Sequence, residues 1–198
     1  MKSIFKFAII ALPLLLFGCT KEDTSSQTNA PMLYKLNEAI QNPNEVQLLQ
    51  LTLDEFNGKS FDGADFPNSV FLTITTPGWN VWPPVEGDPN FPAVNWSKLL
   101  GMQALKQLDL SSIPVTTVPA ELASLPVLEE LSLFLYMPVD INSDAVELDK
   151  VKSLRKLDLG FSVFSPEQPP VLIERLEGVE VIASTVIAPE FQDKKESE

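Results

Sequence analysis

From Leu99 onward, leucine and its apolar relatives return at a fixed set of places. With Leu105, Leu128, Leu154 and Leu176 as anchors, the separations are 23, 26 and 22 residues. Three and five residues after the anchors stand Leu108 and Leu110, Leu131 and Leu133, Leu157 and Leu159, and Val179 and Val181. Six and three residues before them stand Leu99 and Met102, Leu122 and Leu125, Leu148 and Val151, and Pro170 and Ile173. Nineteen of these twenty places are apolar in a chain whose hydrophobic fraction is 44%, and Pro170 is the exception. A period in the twenties, longer than any helix or strand period, marks a chain of stacked structural units.

In a string such as Leu128-Glu-Glu-Leu131-Ser-Leu133, strand alternation sends the residues three and five past the anchor to one side. Those two, four and six past it face the other way. One unit cannot bury its own leucines. Neighbours stacked on it can, at roughly 1.5–3 kcal/mol for each fully buried leucine, so at least about three copies are needed and the ends require caps.

The L-x-x-L-x-L strings resemble those of the leucine-rich repeat family, over roughly Leu48 to Ile182. The best unit runs from Leu105 through Leu110, Ile113, Val118 and Leu122 to Leu125 and fits the family's 23-residue form almost throughout. Upstream, Leu48-x-x-Leu51-x-Leu53 looks like another copy and Ser69-x-x-Leu72-x-Ile74 like a degenerate one, giving about six repeats. The resemblance implies an α/β solenoid, with a curved parallel sheet on the concave face and short helices, 3-10 turns and loops on the convex face. Where the family usually places an asparagine in a buried hydrogen-bond ladder, this chain has Ile113, Tyr136 and Ser162. The backbone groups there need other partners, and irregular repeats are expected.

The expected repeat domain spans 31–191. Leu33, Leu36 and Ile40 fall on one face of a short helix ended by Asn42-Pro43, which makes 31–47 a helical N-terminal cap. Residues 75–98 form a Pro/Trp-rich insertion and 99–182 the best-defined repeats. The stretch Ala183 to Phe191 is expected to cover the last repeat, and 192–198 is a charged tail.

The N-terminus reads as an address. Lys2 and Lys6 precede an apolar run from Phe7 to Gly18, the layout of a secretory signal. That run is shorter than the roughly 20 apolar residues needed to cross a bilayer. Its end, Leu16-Phe17-Gly18-Cys19, resembles the lipobox of bacterial lipoproteins, although Phe17 replaces the usual small residue. The resemblance implies that 1–18 is a signal peptide and that Cys19, the single cysteine, becomes the N-terminus and carries covalent lipid. Several acyl chains make an anchor stable. Residues 19–30 lack core-forming side chains and read as a flexible acylated tether. Within it Lys21-Glu22-Asp23 resembles a signal for the outer face of the outer membrane. A periplasm-facing lipoprotein with a solvated spacer is the alternative.

Composition removes several functions. The chain has no histidine, so Ser-His-Asp and Cys-His nucleophile pairs, histidine bases and His-containing zinc sites are absent. A net charge of −13 opposes binding to a phosphate backbone, so no nucleic-acid partner is expected. Asp140-Ile-Asn142-Ser-Asp144 alternates oxygens like a calcium loop. Ala145 and Val151 stand where its turn glycine and bidentate glutamate belong, so it reads as a polar turn. No phosphate-binding glycine string occurs, and no cofactor, metal or catalytic residue is expected beyond the lipid on Cys19.

Two binding surfaces remain. Strand alternation puts Gln50, Thr52 and Asp54, Phe71, Thr73 and Thr75, Gln107, Asp109 and Ser111, Glu130, Ser132 and Phe134, and Lys156, Asp158 and Gly160 on the concave face, with Tyr136 just beyond a strand. Phe134 and Tyr136 are either exposed interface anchors or side chains packed under the longer second loop. The insertion holds Trp79, Trp82 and Trp96 with five prolines, and either packs on the solenoid or offers indole rings to a ligand. The reading is a non-enzymatic protein-interaction module of the bacterial envelope. The alternative is a carbohydrate-binding surface lipoprotein whose tryptophans stack on glycans.

Overall fold

The structure is a computed structural model. It describes residues 31–76, 92–135, 141–160, 162–164, 168–183 and 186–187. The strands are β1 (Leu33–Lys35), β2 (Leu48–Thr52), β3 (Phe71–Thr75), β4 (Gln107–Val115), β5 (Glu130–Leu135), β6 (Lys156–Leu159), β7 (Val163–Phe164), β8 (Glu180–Ala183) and β9 (Val186–Ile187). β1 to β6 and β8 make one curved parallel sheet in chain order, while β7 and β9 pair separately. The connections carry α1 (Leu36–Ala39), α2 (Leu53–Asn57), α3 (Ile141–Asp149), α4 (Gln168–Arg175) and 3-10 turns at Pro43–Glu45, Gly63–Asp65, Trp96–Leu99 and Ala120–Ser124. This is the leucine-rich repeat solenoid expected from the leucine register.

A recurrent backbone seam defines the repeat. The carbonyls of Gln47, Val70, Lys106 and Glu129 each accept two successive amides from the next unit, at 2.8–3.1 Å. The residues just before them, Val46, Ser69, Leu105 and Leu128, are therefore equivalent, and Leu154 joins them because the Arg155 carbonyl accepts the Glu180 amide at 2.8 Å. Beyond the seam, Leu49, Leu72, Leu108, Leu131, Leu157 and Val181 stand side by side across six strands. The five leucines are buried and form the spine of the core.

That register corrects both ends of the sequence reading. Leu49, not Leu51, lies opposite Leu72, so the first full repeat is Val46-x-x-Leu49-x-Leu51 and Asp54 sits in α2. At the other end Leu157 pairs with Val181, and Leu176 takes the place that Val151 holds one unit earlier, accepting the Val179 amide. Leu172 is buried and Ile173 is 57% exposed, and Pro170, the exception among the twenty places, belonged to a register that the pairing of Leu157 with Val181 moves by two residues. The expected N-terminal helix is replaced by β1 followed by the single turn α1. Pairing with β2 satisfies the backbone groups on one side of 33–35, and it is Leu36 and Ala39 that are buried, while Leu33 and Ile40 are exposed.

Three phenylalanines spaced by five residues build the convex side of the first units. Phe56 and Phe61 have ring centroids 5.3 Å apart, Phe61 and Phe66 are 5.6 Å apart and nearly parallel, and all three are buried. The adjoining turns interlock, since a Cβ on Gly101 would stand 2.2 Å from the Ala64 nitrogen. The Lys98 ammonium donates to the carbonyls of Gly58 and Phe61 and ties the turn at 96–99 to this layer.

Candidate interaction surface

The core occupies one side of the sheet, and the other side is the concave face. Register alone lays its side chains out in rows. One row reads Leu33, Leu48, Phe71, Gln107, Glu130, Lys156 and Glu180 from β1 to β8. The next reads Lys35, Gln50, Thr73, Asp109, Ser132, Asp158 and Ile182. With strands about 4.8 Å apart, each row spans about 29 Å. Six of the expected site residues, Gln107, Asp109, Glu130, Ser132, Lys156 and Asp158, lie together on three adjacent strands, and all are at least partly exposed.

The two aspartates are held in place. Asp109 accepts the Thr73 hydroxyl at 3.2 Å on one oxygen and the Ser111 amide at 3.0 Å on the other. Asp158 accepts the Gly160 amide at 2.8 Å. Both carboxylates thus close a turn two residues on, which fixes their position on the face and spends part of their hydrogen-bonding capacity locally. Glu130 and Glu180 flank Lys156 in register and extend into solvent.

Phe134 and Trp96, for which the sequence left binding and packing open, both pack inward. Phe134 is buried, at 4% exposure, and pairs with Pro114 rather than with a residue of the Gln107 to Ser111 run. Beside it β4 is irregular: the register jumps from Leu110 opposite Leu133 to Pro114 opposite Phe134, so Ser111 to Ile113 are extra residues in β4 next to Phe134. Trp96 starts a 3-10 turn and packs, partly buried, against the core. Asp144 and Asn142 lie in α3 rather than in a polar turn, and one Asp144 oxygen accepts the Val118 amide at 2.7 Å. Cys19, Trp79, Trp82 and Tyr136 lie outside the described residues, as do the tether, most of the insertion and the tail.

The structure also adds residues. Leu33, Lys35, Leu48, Glu180 and Ile182 belong to the face. The 23-residue spacing from Val46 to Ser69, equal to that from Leu105 to Leu128, is the signal in the sequence that selects the β2 register and exposes Leu48. Among the described residues, no group of three carboxylates could hold a metal, and no helix is long and apolar enough to cross a membrane.

No family model matches the chain, and no curated protein matches it. Among solved structures it is similar to a leucine-rich repeat protein of Leptospira interrogans, at 23% identity and a TM-score of 0.54. The match covers 79% of this chain and 36% of that one, so this chain spans about a third of its neighbour's length. The likeness is one of fold.

Proposed function

We propose that this chain is a non-enzymatic protein-interaction module of the bacterial envelope, held to the outer membrane by lipid on Cys19 and binding its partner on the concave face. The observation that carries the reading is the seven-strand face itself. One side of the sheet is consumed by the core, while the other offers about 29 Å of mixed polar and apolar side chains set on a rigid backbone. A leucine-rich repeat fold generally serves such a purpose, and that analogy supports binding without naming a partner. The lipobox resemblance supports the anchor. The glycan reading keeps Trp79 and Trp82 as its stacking platforms, and Trp96, packed on the core, drops out of it.

The test is a photo-cross-linking amino acid placed in intact cells at Ser132, in the middle of the face, and separately at Ala123, exposed on an outer turn. A discrete protein adduct from Ser132 and none from Ala123 is expected. Adducts from Ala123 alone, or from neither position, overturn the assignment of the face.

A further inference from the structure

The concave face is not uniform along its length. Its N-terminal third carries an unbroken apolar row: Leu33, 45% exposed, stands beside the partly exposed Leu48, which stands beside the partly exposed Phe71. Beside this row the N-terminal strands contribute one charge to the face, Lys35. From β4 to β8 the same two rows carry no large apolar side chain except Ile182, and they hold four acids, Asp109, Glu130, Asp158 and Glu180, against one cation, Lys156.

We infer that the concave face takes an extended polypeptide segment laid across the strands, with an aliphatic or aromatic side chain on Leu33, Leu48 and Phe71 and Lys or Arg side chains over the acids of β4 to β8. The inference rests on the proposed binding role of this face and specifies the chemistry of its partner. Apolar contact removes the N-terminal row from water and supplies the anchor. Complementary charge fixes the direction in which the segment lies and rejects acidic segments, because like charges brought together at an interface are unfavourable. Strand spacing sets the reach. Glu130 is two strands from Phe71 and Glu180 is four, or about 10 and 19 Å. An extended segment advances about 3.3 Å per residue, so its basic residues fall about three to six positions from its apolar anchor. Lys156, between Glu130 and Glu180, disfavours an uninterrupted run of basic residues and favours separated ones.

Selection from a random 12-residue display library on the full chain tests this. Enrichment of segments with one or two large apolar residues, and with Lys or Arg three to six positions away, is the expected result. Synthetic copies of a selected segment should bind at least tenfold more weakly to Phe71→Ser and to the double variant Glu130→Lys, Glu180→Lys. Both variants are to be checked by circular dichroism for native secondary structure. Replacing the segment's basic residues by Glu should abolish binding, and added salt should weaken the original. Acidic or neutral enriched segments, no enrichment, or binding indifferent to these variants overturns the inference. The proposed role of the face is judged separately. A Ser132 adduct that survives Phe71→Ser and the Glu130, Glu180 reversal would refute the partner chemistry and leave the face as the binding surface, whereas absence of any Ser132 adduct refutes the face itself.

Discussion

The Ser162 hydroxyl accepts the Leu135 amide at 2.9 Å and donates to the Leu133 carbonyl at 3.2 Å, so one buried side chain reaches across to both backbone groups of the preceding unit. Ser162 occupies one of the places where an asparagine ladder was missing from the sequence. Its short side chain satisfies one donor and one acceptor that β5 presents beyond the end of its pairing with β6 at Ser132 and Asp158.

Ser162→Ala should therefore lower unfolding free energy by about 1–3 kcal/mol, the penalty of leaving a buried amide without its acceptor. Urea denaturation of the two chains measures it. An unchanged midpoint would show that the Leu135 amide finds another partner.

Gly101→Ala should destabilise by about 1–3 kcal/mol through overpacking. The added Cβ would stand 2.2 Å from the Ala64 nitrogen and 2.3 Å from its Cα, and backbone cannot give way as a flexible side chain would. Thermal unfolding followed by circular dichroism reads the loss. Gly160→Ala is the comparison, since its Cβ meets only the Asp158 carboxylate, at 3.0 Å.

Thr52→Ala removes a reciprocal cap. The Thr52 hydroxyl accepts the Glu55 amide at 3.2 Å, and the Glu55 carboxylate accepts the Thr52 amide at 2.7 Å. A loss of about 1 kcal/mol is expected. Because Thr52 ends β2 and opens α2, hydrogen exchange should rise first at the start of α2.

Phe134→Ala should cost about 3–5 kcal/mol as a core truncation. A binding defect in that variant would reflect altered folding, which equilibrium denaturation alongside any binding measurement detects. Ser132→Arg is the cleaner perturbation of the face: it should leave the unfolding midpoint within a few degrees and abolish the cross-link from neighbouring concave positions.

Cys19→Ser should abolish incorporation of labelled fatty acid and release the protein from the membrane fraction, since no other cysteine is present. Retention of label would refute lipidation at Cys19. Protease treatment of unpermeabilised cells then separates surface display, in which the protein is lost, from a periplasmic position, in which it is protected.

The middle of the solenoid was legible because three consecutive units repeat the same spacing with leucine at nearly every core place. Leu108, Leu131 and Leu157 align in the sheet as they align in the sequence. The ends were harder for a physical reason. Around β2, Leu48, Leu49, Leu51 and Leu53 satisfy two registers two residues apart, and both keep the same alternation of faces. Around β8, Val179, Val181 and Ile182 are similarly ambiguous. Terminal units also have a neighbour on one side only, which weakens the selection for a full set of core leucines.

The stacked-repeat architecture, the composition of the core and the class of side chains on the face follow from the chain's own periodicity, because alternation and the need to bury leucine act locally and repeat. Other features depend on neighbouring units meeting in space. Phe134 is buried beside the register shift of β4, the turn at 96–99 draws Trp96 onto the core, and pairing with β2 turns Leu33 to Lys35 from helix to strand. Each is settled by hydrogen bonds or packing between residues more than ten positions apart, which no local pattern encodes. The same cross-strand register joins Leu33, Leu48 and Phe71 into one apolar row, although 38 positions separate the first from the last.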